Sequence, residues 1–173
     1  ALNETDTGTL FDELDNDTGS PWKVDGELPD EINEERLLRP HEQIVKTVGK
    51  VFMQSSSGDG SCSGSVVTSP SRSLVLTAAH CVYDRSTRNW MVNRWIFVPG
   101  YDYGGSPLGV WVGKRFAVLR AYTNGASIAS IYNADVAFVV LYPIRSRRIA
   151  PYTGSLGIGF NLPRYLSLHA FGY

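Results

Sequence analysis

The chain has 173 residues, 43% hydrophobic and 19% charged, enough apolar material for a sizeable core and too little charge for a chain disordered throughout. No apolar run reaches the length of a membrane span, so a soluble protein with no membrane partner is expected. The formal net charge of −1 conceals two opposite parts, because residues 1–40 carry twelve carboxylates against three cations and residues 41–173 carry five against thirteen.

That asymmetry predicts a contact between an acidic arm and a basic body. The body's cations are scattered except for Arg145, Arg147 and Arg148, so no nucleic-acid partner is expected. The first residues have neither a basic nor an apolar segment of the secretory kind, and if the protein is exported such a leader has already been removed.

Residues 1–40 are dense in Asp, Glu, Gly, Thr and Pro. They read as an arm that is mobile or folds only against the body, with Leu10, Phe11 and Trp22 as its anchors. Asn3 and Asn16 open two N-glycosylation sequons, to be used only in a eukaryotic secretory source. Asp15 to Gly19 brushes against a calcium loop but lacks spaced ligands and a closing glutamate, and reads as a solvated turn.

Residues 36–48 tolerate a helix. From Gly49 the pattern turns to short β-branched or aromatic runs at 51–53, 65–68, 74–77, 95–98, 110–119 and 136–141, separated by Gly, Pro, Ser, Asp and Asn clusters. Six such runs predict an all-β class and an antiparallel six-stranded β-barrel spanning 41–145. After Tyr142 and Pro143 comes a polar, arginine-bearing connector. Residues 155–160 and 165–173 read as the start of another sheet, so 146–173 is expected to be a connector and an incomplete second barrel.

Within this frame Leu74-Val75-Leu76 ends at Thr77-Ala78-Ala79-His80-Cys81. Two small residues before His80 leave room for an imidazole to turn outward at a strand end, where it can serve as a base. Cys62 and Cys81 are the two cysteines. Spacing alone leaves open a single bridge or two free buried thiols.

The pentapeptide from Thr77 to Cys81 resembles the histidine signature of trypsin-like, chymotrypsin-fold serine proteases. Cys62-Ser63-Gly64-Ser65-Val66-Val67 is similar to the strand that carries the family's disulfide partner for the cysteine beside the histidine. Asp135 followed by Val136 to Leu141 is similar to the family's aspartate and the apolar strand after it. The resemblance implies a Cys62–Cys81 disulfide, closing about 20 residues and worth roughly 3 kcal/mol, and with it an oxidising, secreted setting. It also implies His80 as general base and Asp135 as the acid that orients it, a polypeptide substrate and no cofactor.

The family's nucleophile motif, Gly-Asp-Ser-Gly-Gly, does not occur in the 173 residues. All-β domains of two barrels take about 200 to 250 residues, and 133 remain after the arm. The expectation is therefore a chain that ends before the catalytic serine, inactive alone and completed by a C-terminal half. The rival is a protease-like binding module or decoy that has lost its nucleophile. The opening at Val48 to Phe52 and the close at Phe171 to Tyr173 suggest the glutamyl-endopeptidase-like branch. Zymogens are common in the family, so the arm reads either as a pro-segment, with Arg36 or Arg39 near its end, or as an extension wrapping the barrel.

His41 and His169 match nothing in the pattern, and three histidines far apart in sequence argue against a metal. A second enzyme class competes weakly. Gly60-Ser61-Cys62-Ser63-Gly64 fits a cysteine nucleophile elbow, with Asp135 and His169 following in α/β-hydrolase order. That elbow needs a helix after it, whereas Ser65 to Pro70 is β-branched and then broken by proline.

Overall fold

The computed structural model describes residues 9–11, 22–29, 40–55, 58–91, 94–125, 127–163 and 165–173. Asn3, Asn16, the turn at 15–19, Arg36 and Arg39 lie outside them. In the arm, β1 (Thr9–Phe11) and β2 (Trp22–Val24) precede α1 (Pro40–Thr47). Pro40 opens α1 where a missing N–H costs nothing. Thr47 Oγ1 donates to Ile44 O at 3.1 Å as the helix runs straight into the first barrel strand.

Six strands close the barrel: β3 (Val48–Ser55), β4 (Gly58–Val67), β5 (Leu74–Thr77), then β8 (Ile96–Pro99), β9 (Trp111–Leu119) and β10 (Ala137–Leu141). Between β5 and β8 a small hairpin is formed by β6 (Tyr83–Asp84) and β7 (Asn89–Trp90). Around the barrel the order is β3, β4, β5, β10, β9, β8, every pairing antiparallel, with β8 closing back onto β3. Closure leaves no open barrel edge to template aggregation. Two short helices, α2 (Arg120–Asn124) and α3 (Ile128–Asn133), connect β9 to β10. A third, α4 (Ala150–Thr153), precedes β11 (Ile158–Phe160).

Period-two alternation decides what faces inward. Val51, Val66, Val75, Phe97, Phe116 and Val139 are at most 1% exposed, and each contributes about 1.5–3 kcal/mol by leaving water. Trp95 meets Phe116 edge to face at 5.7 Å, and its indole N–H donates to Cys81 O at 3.0 Å, so the ring is fully buried without an orphaned donor. Gly113 makes room for the pair, since a Cβ there would stand 2.4 Å from Phe116 Cζ. The β9–β10 register shifts beside it, between Val140 and Leu141.

The further sheet expected at 155–160 is present as a separate two-stranded sheet, and its partner is the arm: β11 pairs antiparallel with β2, Ile158 opposite Val24 and Phe160 opposite Trp22. Glu27 and Ser155 exchange both backbone hydrogen bonds, at 2.9 and 2.7 Å. Thr68 Oγ1 bonds Ser155 Oγ and donates to Asp25 O, both at 2.9 Å, while Arg72 Nε pairs with Glu27 Oε2 at 3.5 Å. Residues 22–29 are thus sewn to the barrel, and β1 lies parallel along Ala117 to Leu119 at the free end of β9. Residues 165–173 contain no strand. Leu166, Leu168 and Ala170 alternate with Ser167 and His169, but no neighbouring strand pairs with them among the described residues, and all nine residues are exposed.

Thr68→Val keeps the shape and removes the hydroxyl that binds arm to body. It should lower unfolding free energy by about 1–2 kcal/mol and speed hydrogen exchange at the Glu27 and Ser155 amides more than at Val66 or Val75. Urea titration and amide exchange measure both.

Candidate active site

β5 and β10 place the site. Their antiparallel register sets Ala137 opposite Thr77, so the residues after Thr77 and those before Ala137 emerge at the same end of the barrel. Thr77 Oγ1 donates to Ser63 O at 2.8 Å and holds the strand end down. Ala79 to Cys81 then make one 3-10 turn, closed by Cys81 N–H to Ala78 O at 3.1 Å and Val82 N–H to Ala79 O at 3.0 Å. Ala79 and Cys81 point inward, 0% and 1% exposed, and His80 between them points out with 60% of its side chain accessible. A bulky residue at 79 would have no space, which is the physical content of the small residues preceding the histidine.

From the other side, α3 ends at Ala134 and delivers Asp135. Ser127 caps α3 by accepting from Ser130 N–H at 3.1 Å, and the Ser130 hydroxyl reaches back to the Ser127 amide, a reciprocal box that fixes the approach. Asp135 Oδ1 accepts the His80 backbone N–H at 2.9 Å and Oδ2 accepts from Nδ1 at 2.8 Å. One carboxylate thus holds both the backbone of the turn and the Nδ1 side of the ring. With the proton on Nδ1, Nε2 carries the lone pair.

Cys62, in the middle of β4, is bonded to Cys81, with Cα atoms 6.2 Å apart. The bridge ties the histidine turn to the neighbouring strand, and oxidised Cys62 cannot be the nucleophile of an elbow. Its Sγ lies 3.9 Å from His80 Nε2, and a disulfide sulfur has no proton to give. Cys62, Cys81 and His80 bring potential ligand atoms within 4.8 Å of one another. Metal binding there needs thiolates, and both sulfurs are committed to each other.

Around the pair the structure adds residues that the sequence did not single out. Tyr122 on α2 is 4% exposed, and burial, with the charge of Asp135 as the next contribution, pushes its hydroxyl up to about 12. Tyr83 stands edge-on to it at 6.4 Å and to Trp90 at 5.2 Å. Asp84 accepts the Ser86 and Thr87 hydroxyls at 2.6 and 2.8 Å, and these bonds hold its carboxyl down at about 2. The signal for that turn, Asp-x-Ser-Thr, was present in the sequence and is a standard side-chain-to-backbone arrangement.

Among the described residues no hydroxyl is hydrogen-bonded to Nε2. Ser63 Oγ instead accepts from Tyr173 N–H at 2.8 Å, Ser86 Oγ serves Asp84, and Ser155 is 1% exposed against Thr68. Ser167 and His169 lie exposed in 165–173, and the side chain of His41 is outside the described set.

The chain resembles serine proteases of the chymotrypsin fold. Similar solved structures include the thermostable serine protease AL20 from an extremophilic microorganism, 30% identical over 63% of this chain and 48% of that one, TM-score 0.56. Protease Anisep from Arthrobacter nicotinovorans is also 30% identical, over 66% of this chain and 49% of the other, TM-score 0.56. A Glu endopeptidase in complex with MPD, 19% identical over 76% of this chain and 51% of that one with a TM-score of 0.50, shares the fold. The chain spans about half the length of these proteases. No family model and no curated protein matches it.

Asp135→Ala removes both acceptors of the histidine turn. Unfolding free energy should fall by about 1–3 kcal/mol, read by urea denaturation, with faster exchange of the His80 amide. Because Tyr122 ionises later in the folded than in the unfolded chain, its contribution is full below pH 10 and is lost as pH rises from 10 towards about 12. Tyr122→Phe should flatten that alkaline decline, measured as urea midpoints across the range.

Proposed function

We propose that this chain is the part of a secreted serine endopeptidase that carries the general base and its orienting acid. The observation that supports the reading is the two-point grip of Asp135 on the backbone N–H and Nδ1 of an exposed His80, which leaves the lone pair on Nε2. A serine hydroxyl is too weak an acid to attack a peptide carbonyl unaided. Nε2 accepts its proton as the oxygen–carbon bond forms, and the imidazolium so produced is stabilised by the Asp135 carboxylate it already faces. The same proton is then returned to the leaving amine, so the imidazole ends each half-reaction neutral. Asp135 stays ionised throughout and acts by position and charge.

The attacking serine, the donors that stabilise the tetrahedral oxyanion and the primary specificity pocket come from polypeptide outside these residues. Supporting this, the serines near the histidine turn are occupied elsewhere, and the chain spans about half of each similar protease. The disulfide suits an extracellular setting, where such bonds persist. The substrate is polypeptide, and no cofactor takes part.

Incubated alone with a fluorophosphonate probe and a fluorogenic peptide panel, the 173-residue chain should show neither labelling nor turnover. Extended by the polypeptide that supplies the serine, it should hydrolyse peptides, and His80→Ala should then lower kcat/KM by on the order of 10⁴-fold or more. Labelling of a serine within the chain, or full activity without His80, contradicts the proposal. An extended protein with no turnover favours a binding module.

A further inference from the structure

The disulfide at the histidine turn belongs to a second constellation. Cys62 Sγ lies 3.9 Å from His80 Nε2, and Cys62, Cys81 and His80 each bring one potential ligand atom within 4.8 Å of the others. Two sulfurs and an imidazole nitrogen are donors that zinc prefers. The other ring nitrogen, Nδ1, donates to Asp135 Oδ2 at 2.8 Å. Metal-bound histidines are oriented by a carboxylate in this way, and the bond leaves Nε2 as the ligating atom.

While the bridge is closed the sulfurs bind each other and no metal. Opening it frees the sulfurs, and the backbone that carries them is held by bonds that do not involve the bridge. Thr77 Oγ1 donates to Ser63 O beside Cys62, Trp95 Nε1 donates to Cys81 O, and the His80 N–H donates to Asp135 Oδ1. β4 is paired with β3 at this level, Cys62 opposite Val51. Around tetrahedral zinc two thiolate sulfurs lie about 3.8 Å apart, and a sulfur and an imidazole nitrogen about 3.6 Å apart. Side-chain rotation of the freed cysteines, on Cα atoms 6.2 Å apart, supplies that separation. Cys62 is half-buried and His80 is exposed, so a fourth ligand position opens on solvent.

We infer that Cys62, Cys81 and His80 form a redox-gated zinc site. A dithiol reductant opens it: one of its sulfurs bonds to a cysteine sulfur as the Cys62–Cys81 bond breaks, and its second sulfur then displaces that cysteine. Two electrons and two protons pass to the chain, and the reductant leaves as its cyclic disulfide. Zn²⁺ then binds both cysteine sulfurs and Nε2, releasing the two thiol protons to solvent, with water as fourth ligand. One consequence rests on the peptidase reading above. The metal occupies the lone pair that an attacking serine needs, so the reduced, zinc-bound chain is the masked form and the oxidised chain the competent one.

The 173-residue chain is reduced with a dithiol, freed of it in the absence of oxygen, and titrated with Co²⁺ as a spectroscopic probe, then with Zn²⁺ against a chromophoric chelator. The reduced chain should bind a single ion, with thiolate-to-cobalt charge-transfer absorption and tetrahedral d–d bands, and the oxidised chain should show neither. The near-ultraviolet circular dichroism of the buried Trp95 and Trp111 should persist on reduction. Asp135→Asn acts on the site only in the folded chain, because it is far from the ligands in sequence, and should weaken zinc binding by about 10–100-fold. His80→Ala, at an exposed position, should weaken it by at least as much. Absence of cobalt absorption, a spectrum and affinity unchanged in either variant, or loss of the aromatic dichroism on reduction even with zinc present overturns the inference. Because metal binding is read without turnover, failure here leaves the His80–Asp135 reading intact. An extended protein that hydrolyses nothing removes the masking consequence, while the metal site is scored separately.

Discussion

The double hydrogen bond from Asp135 to the backbone and ring of His80 is the constraint on which the site depends. One carboxylate holding one side-chain nitrogen would leave the imidazole free to swing with its own turn. By taking the backbone N–H as well, at 2.9 Å beside the 2.8 Å ring contact, Asp135 fixes the turn and the ring with the same charge. Ionised acceptors make stronger bonds than neutral ones, and a carboxylate has enough lone pairs for both. The grip also selects a tautomer, which is what turns an exposed histidine into a directed base.

That interaction exists because the barrel brings two distant pieces of chain to one rim. The β5–β10 pairing sets the height of both residues, and the disulfide from β4 and the Trp95 bond to Cys81 O pin the histidine turn from below. The helices between β9 and β10 set the angle at which Asp135 arrives. Trp95 and Cys81 beneath the turn are at most 1% exposed, whereas the histidine itself is well exposed. A rigid floor under an accessible side chain is the arrangement catalysis needs, because the base must meet solvent-borne substrate without losing its orientation.

How much of this was legible beforehand depends on where the information was stored. The six barrel strands were readable because their inward residues are β-branched or aromatic at period two, and His80 was readable because it follows two small residues at a strand end. β4 extends seven residues further back than its apolar run, from Gly58 instead of Ser65. Those positions are exposed and carry no hydrophobic pattern, and their strand character comes from pairing with β3. The six-residue helix α3 is equally quiet, with no buried residue and a serine box as its main organiser. Tyr122 and Tyr83 gave no signal as site residues because an aromatic side chain in a sequence reads as core filling. For the arm, composition left open a mobile segment or one folded against the body; residues 22–29 are held by backbone hydrogen bonds, which composition does not encode, and the strand at 158–160 takes β2 of that arm as the partner of its separate two-stranded sheet.

Residues 22–29 are fastened beside Thr68 and Arg72, at the barrel end opposite His80, and β1 lies along the end of β9. The account of the His80 end turns on which ring nitrogen of His80 bears the proton, and long-range ¹⁵N–¹H correlation of the imidazole, at a pH where the ring is neutral, reads it directly. The structure predicts a proton on Nδ1, retained beside the Asp135 carboxylate, and an unprotonated Nε2. A proton found on Nε2 would mean that Asp135 accepts nothing from the ring and that Nε2 cannot act as a base, and the proposed chemistry would be contradicted.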